Sequence, residues 1–349
     1  MAIRSKADTN GDSAARRLRT SLLKRARSAE NHPGLPDLAE LRDLLVEAVQ
    51  ALAGLNPEIR PRNSSGRPGG LLRIPDGVPT LIVPDLHTRG GLLSRVLEWT
   101  PPEEELPLAE LAADSRAALL FLGDLFHSEG PEAPARWEAA YREYLGGFRL
   151  HEAMDDEMGR GLSALDVLVR MILLAPERVW CLKGNHDNSR NREGGGDHGF
   201  YKFADEGAMC AEWLEVFAEE DFRTALASFE ESLPLAAVGE IFVASHAEPA
   251  FPLTSQEIIE GDPETVEALI WTANGQALPY AVSESLASLL GPEAPENGGR
   301  WISGHRPVDG RYALRAEGLL VQIHAPSLFQ GAWMRPGIPF DPETDLAEL

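Results

Sequence analysis

Cysteine is almost missing from this chain: its 349 residues contain two, Cys181 and Cys210. Two give neither a disulfide framework nor the spacing of a zinc site. Cys181 lies inside the apolar run VWCLKG, where a buried thiol is expected. Long hydrophobic runs are missing too, since none approaches the roughly 18 apolar residues of a membrane span. The N-terminus is basic but has no apolar stretch behind it of the kind a secretory signal requires. A reducing cytoplasm is the expected compartment. Positive charge is scarce. The formal net charge is −23, and phosphate backbones demand a basic surface, so the composition argues against nucleic acid as the main partner. The exception is residues 1–30, where eight Lys/Arg face three Asp/Glu, a net of +5 that leaves −28 for the rest. Such an arm suits an acidic partner or an anionic surface; a solvated, partly disordered tail is the reading its composition favours.

What is present points to a large core. Apolar residues make up 43% of the chain, and its length allows one large domain or two small ones. Residues 13–30 have the composition of a basic helix with a thin apolar face. A better helix begins at Asp37, whose carboxylate can cap it together with Glu40, and Leu38, Leu41, Leu45, Val49 and Leu52 form one stripe at helical spacing. Residues 56–70, rich in Pro, Gly and Asn, read as a linker. From Leu71 onward, the short apolar runs TLIVP, ALLFLG, RVWCLKG, EIFVAS, WISG and LLVQIHA alternate with helical stretches such as 161–175 and 264–272. That alternation predicts an α/β domain with a largely internal sheet. The expected organisation is a basic arm, helix and linker over 1–70, a main domain over 71–335 and a C-terminal tail over 336–349. Within the main domain, residues 131–160 form a helical insertion with Trp137, Tyr141 and Tyr144 on one side. Two readings stand for it: a cap over the site, or a surface elaboration.

Metal-seeking residues recur at the ends of these runs. They are Asp85 and His87 in LIVPDLH, Asp124 in LLFLGDLFH, Asn185 in VWCLKGNHD, His246 in IFVASH and His305 in RWISGH. A parallel or mixed sheet brings the carboxyl ends of its strands to one edge, where donors distant in sequence meet. Asp85 and His87, two apart, point the same way on extended chain. Asp124, with two oxygens in a tight Gly-Asp turn, is the natural bridge between two ions about 3.5–4 Å apart. Asn185, His246 and His305 then complete a second position, and two divalent ions (Mn, Fe or Zn) are the expected cofactors.

In order and context these segments resemble the metallophosphoesterase (calcineurin-like) superfamily, whose signature runs D-x-H, G-D, G-N-H-D/E, H and a late G-H. The resemblance implies an αββα sandwich with mixed sheets, here with an N-terminal helical extension. It also implies a dinuclear phosphoester hydrolase working through a metal-bridging hydroxide. Phosphomonoesters, nucleotides and phosphoanhydrides are the implied substrates, with a phosphorylated small molecule, a nucleotide or a phosphoprotein as partner. A phosphodiesterase with the same site is the alternative, and a metal-binding pseudoenzyme a weaker one. His186, by the same resemblance, faces substrate and is the candidate general acid.

SLPLAAVGEIFVASHAEPA, HGFYKF, LIWTAN and GHRPVDGRYAL…LLVQIHAPS further resemble the phosphoprotein-phosphatase-type branch over roughly residues 78–327. Departures stand out. Where that branch reads G-D-x-V-D-R-G, this chain reads Gly123-Asp124-Leu125-Phe126-His127-Ser128-Glu129-Gly130. His127 replaces the carboxylate that would orient the acid, a phosphate-gripping arginine is missing, and Glu129 is the nearest substitute carboxylate. Arg89, Arg190, Arg192 and Arg306 are candidate replacements for the grip, Arg89 and Arg306 being tied to metal-seeking residues. His127 and His324, in QIHAPS, are further candidates to reach substrate. The run Gly194-Gly195-Gly196 reads either as a phosphate cradle or as a flexible loop.

Overall fold

The structure is a computed structural model and describes residues 9–349. In chain order its helices are α1 (Thr9–Asn31), α2 (Leu38–Gly54), α3 (Gly90–Glu98), α4 (Leu108–Ala113), α5 (Ala133–Leu145), α6 (Glu152–Leu174), α7 (Glu206–Phe217), α8 (Glu220–Ser232), α9 (Ser255–Glu260), α10 (Pro263–Ile270), α11 (Ala281–Leu290) and α12 (Pro342–Asp345). The strands are β1 (Leu71–Arg73), β2 (Thr80–Val83), β3 (Ala118–Phe121), β4 (Val179–Cys181), β5 (Ala236–Val238), β6 (Phe242–Ser245), β7 (Arg300–Ser303), β8 (Ala313–Arg315), β9 (Leu320–Gln322), β10 (Gln330–Met334) and β11 (Leu346–Glu348).

They form two mixed sheets, ordered β1-β5-β6-β7-β9-β8 and β11-β10-β2-β3-β4. Side-chain alternation explains how the sheets stack. Leu72, Ala237, Ala244, Ile302 and Val321 join the core that also holds Leu81, Ile82, Leu119 and Leu120 of the other sheet. Their neighbours Leu71, Ala236, Val243, Trp301 and Leu320 turn the opposite way, onto Ile258, Leu269, Val282 and Leu286 of α9, α10 and α11. Strands β2, β3 and β4 of the five-stranded sheet are buried on both faces, as parallel strands with helical crossovers are. This is the mixed two-sheet α/β sandwich expected.

Register sets the site. Val83, Phe121 and Cys181, the last residues of β2, β3 and β4, pair side by side. Ser245 pairs with Ser303, and Ser303 with Gln322. The residue strings that follow these ends therefore start from a common edge.

The N-terminal region departs from expectation. Residues 13–30 are no solvated tail: they lie within α1, which packs along α3, α4 and α6. Leu22, Ala26 and Ala29 are buried there, and Arg19, Arg25 and Arg27 pair with Glu110, Asp166 and Glu98 at 2.5, 3.2 and 2.6 Å. The basic composition serves to dock an acidic body rather than to hold the arm in solvent. Residues 1–8 of that arm lie outside the described residues. Asp37 caps α2 through Ala39 N and Glu40 N, but the Glu40 carboxylate turns to Arg170 rather than closing a capping box. The predicted helix over 161–175 starts nine residues earlier, at Glu152. The stretch read as a tail carries β11, which pairs with β10.

Candidate metal centre

Backbone bonds stitch the turns after β2, β3 and β4 together. Leu86 N, His87 N and Thr88 N donate to Gly123 O, Asp124 O and Leu125 O at 3.1, 2.7 and 3.3 Å, extending the parallel pairing beyond the strands. His87, Asp124, His127 and His305 all take left-handed backbone angles, at φ 40°, 54°, 71° and 64°. Such angles cost non-glycine residues about 1–3 kcal/mol each and persist only where surrounding contacts over-determine them. Asp187 supplies part of that constraint. Its carboxylate accepts from Gly184 N, Leu125 N and Asp124 N at 2.7, 2.8 and 3.1 Å, bolting the β3 turn to the β4 turn. Burial pushes this carboxyl up to about 6. Two glycines admit the carboxylates that matter. A Cβ at Gly184 would stand 2.2 Å from Asp124 Oδ1, and one at Gly304 only 1.7 Å from Asp85 Oδ1.

The six metal-seeking residues converge at this edge. Asp124 lies between two imidazoles, Oδ2 being 3.3 Å from His87 Nε2 and Oδ1 3.5 Å from His246 Nε2. Asp85 faces the same pair at 4.0 and 3.9 Å, and its Oδ2 accepts from His305 N at 2.8 Å. Asn185 Oδ1 is 2.9 Å from both His246 Nε2 and His305 Nδ1. His87 Nδ1 and His246 Nδ1 each sit 2.9 Å from a backbone carbonyl, of His127 and Leu122. Those nitrogens must carry the proton, which leaves each Nε2 lone pair aimed at the cluster.

The chemistry of this donor set fits divalent cations. Burial, and then Asp124 and Glu129, push the Asp85 carboxyl well above the carboxylate range, and burial pushes Asp124 to about 7. Burial also drives His87 and His305 well below the usual imidazole range and His246 to about 4. Crowded carboxylates lacking a counter-charge, beside neutral imidazoles, are what a cation relieves. Asp85 Oδ1, His305 Nε2 and His324 Nδ1 are buried with no hydrogen-bond partner among the described residues.

Around this cluster the structure sorts the remaining candidates. His186 is buried, stacked on Phe200 at 4.6 Å and edge-on to His87 at 5.2 Å; its backbone N–H donates to Asp124 Oδ1, while its ring Nδ1 has no hydrogen-bond partner among the described residues. His127 lies behind it with ring centroids 4.8 Å apart, sandwiched between Trp137 and Phe203, and its Nε2 is 3.3 Å from Glu206 Oε1. The 131–160 insertion thus reaches the site as a buttress: Trp137 stacks on His127 and donates to Ser128 O. Ser128 is locked between Arg136 and Glu157. His324 does reach the cluster, its Nδ1 3.7 Å from Asp85 Oδ2 and its Nε2 3.0 Å from Glu129 Oε2.

Three of the four candidate arginines turn elsewhere. Arg89 donates to the carbonyls of Asp85, Leu86 and Leu328, so it braces the β2 turn. Arg190 is held by Glu220 and Thr224, and Arg192 pairs with Glu231. Both are drawn off by acidic helix α8, whose position the local sequence does not reveal. Arg306 alone of the four is exposed beside His305 with no side-chain ion pair among the described residues. Lys202, Glu129 and Glu206 carry weight that the sequence reading missed or only touched. Lys202 pairs with Glu129, and Glu129 stands 3.5 Å from His87 Nε2. Against the upward push of burial, His87, His324 and Lys202 hold Glu129 well below the carboxylate range. The HGFYKF segment was the available signal for Lys202; Glu206 carries none. Cys181 and Cys210 are buried and unpaired.

No family model matches this sequence, and no curated protein matches it. Solved structures do. A protein serine/threonine phosphatase from Saccharomyces cerevisiae with similarity to human phosphatase PP5 superposes with a TM-score of 0.53 at 13% identity, over 89% of this chain and 88% of that one. The fold is the metallophosphoesterase fold. A cold-active protein-tyrosine phosphatase of a psychrophile, Shewanella sp., is a weaker likeness, with a TM-score of 0.40 at 10% identity over 80% and 82% of the two chains. Within the metallophosphoesterase fold, the cluster described above stands at the common carboxyl edge of the two sheets. Among the described residues, no helix is long and apolar enough to cross a membrane.

Proposed function

We propose that this chain is a metal-dependent phosphoester hydrolase. The observation that carries the proposal is the convergence of Asp85, His87, Asp124, Asn185, His246 and His305, with Asp124 presenting one oxygen to each of two imidazoles. Asp85, His87 and Asp124 would hold one divalent ion, and Asp124, Asn185, His246 and His305 a second. Ions bound there supply Lewis acidity toward phosphoryl oxygens and lower the pKa of the attacking water. The chain's own groups do the rest. His186, edge-on to His87 and tied through its backbone N–H to Asp124, is the group from which a proton would pass to the leaving oxygen. His127 and Glu206 keep that ring in position. Arg306, exposed beside His305, is the cation available to a phosphoryl group, while Lys202 is held by Glu129.

A diester reading draws support from one feature. The Glu129 carboxylate stands at the cluster, and Ser128 occupies the place where the resemblance has an arginine. A monoanionic diester meets less repulsion there than a dianionic monoester. The test is hydrolysis of p-nitrophenyl phosphate and bis-p-nitrophenyl phosphate by metal-stripped protein with Mn, Fe, Zn, Ni or Mg restored. Restored monoester turnover supports the first reading, and turnover confined to the diester supports the second. Absence of turnover of either, with two ions bound, overturns the hydrolase proposal for small substrates.

A further inference from the structure

Away from the metal centre, a cavity of 440 Å³ opens between the segment over 60–70, α2, α8 and α9, within the size range of small-molecule sites. Its charged lining is unevenly satisfied. Arg60 is 3% exposed, and its Nε donates to Gly69 O at 2.9 Å. Its Nη1 has no protein partner, and no carboxylate pairs with it among the described residues. A buried guanidinium without a counter-charge is costly, and burial, then the neighbouring Arg62, lower it to about 10. Among the described residues, the Arg67 side chain, on the same wall, donates only to Ser65 Oγ, at 3.1 Å. The other charges are engaged. Lys183 Nζ is shared between Asp187 O and Asp197 at 2.7 and 3.3 Å, Glu231 pairs with Arg192, and Glu260 accepts from Ser64 and Gln256. Val49, Leu233 and Ile259 give the cavity an apolar side. Gly195, of the triple-glycine run, also lines it.

From this arrangement we infer that the cavity binds a small organic phosphate, its dianionic head on Arg60 and Arg67 and its apolar body against Val49, Leu233 and Ile259. Two guanidinium groups without carboxylate partners among the described residues offer forked donors that suit the oxygens of a phosphoryl group. A carboxylate would balance only one of the two guanidinium groups.

The test is isothermal titration calorimetry of the full chain, stripped of metal by chelator, against phenylphosphonate, inorganic phosphate and benzoate. The expected result is one saturable phenylphosphonate site per chain, tighter than phosphate or benzoate. Arg60→Gln should abolish that binding and Arg67→Gln weaken it by about tenfold. Because Arg60 also holds Gly69, its variant can lose the fold; Arg67 is exposed, and its variant carries the test by itself. Absence of saturable binding, or unchanged affinity in Arg67→Gln, overturns the site. Benzoate binding as tight as phenylphosphonate overturns the phosphoryl assignment.

Discussion

The ligand cluster and the rim around it are built on different rules. Each cluster residue lies within four positions of a strand end, so the sheets and the short turns that extend them bring the set together. The rim is assembled from loops and helices that the strands do not control. His127 rests on Trp137 of α5 and Glu206 of α7, Glu129 on Lys202 and His324, and Arg306 on nothing charged. The lesson is that chemistry tied to a sheet edge is fixed by register, while recognition of the substrate is left to parts free to diverge.

The strongest way to break this contrast is Asp124→Asn. If Asp124 joins two ions, metal-dependent turnover falls by about 10³-fold or more and bound metal drops below two per chain. An active variant with full metal content, measured by elemental analysis, removes the bridge. Next comes His186→Ala, expected to keep both ions while losing about 10²–10⁴-fold in kcat, most with poor leaving groups. Equal loss with good and poor leaving groups would take the proton-transfer role from it. Glu206→Gln probes the rim: by loosening His127 it should lower kcat by about tenfold at constant metal content. Arg306→Ala is milder, raising KM by about three- to tenfold with kcat nearly unchanged. A fall in kcat at constant KM would move Arg306 into the chemistry.

The smallest expected effect concerns stability. Burial raises Glu230, which accepts from Ser189, from the ordinary carboxylate value to about 8. A carboxyl whose folded pKa lies above its unfolded one favours folding fully below the unfolded value. That contribution fades as pH rises through about 8. Urea denaturation at pH 6 and pH 9 should therefore show a loss of stability that Glu230→Gln reduces. An identical pH dependence in the variant would exclude Glu230 as its source.

Legibility in the sequence follows the same division. Runs such as LIVPDLH and LLFLGDLFH carry both the strand and its donor, so β2, β3, β4, β6, β7 and β9 were readable together with their residues. Strands β1 (LLR), β5 (AAV), β8 (ALR), β10 (QGAWM) and β11 (LAE) hold a single β-branched residue among them, Val238, and carry no cluster residue at their ends, so none announces itself. Arg89 and Arg190 turn to other partners because a guanidinium goes to the nearest acceptor in space. For Arg89 that acceptor is a set of carbonyls, and for Arg190 a helix 30 residues away. The basic arm misled for the same reason: nothing within residues 13–30 tells that Glu110 and Asp166 wait opposite.

By itself, then, the sequence determined the fold class and the six residues that meet at the sheet edge. Alternation and strand-end position are local properties, and every parallel ladder turns them into proximity. Only the tertiary structure decided how the rim is held, where each arginine goes, and that Arg60 is buried without a counter-charge. Those outcomes depend on distances between segments far apart in the chain, and no spacing within one segment encodes them.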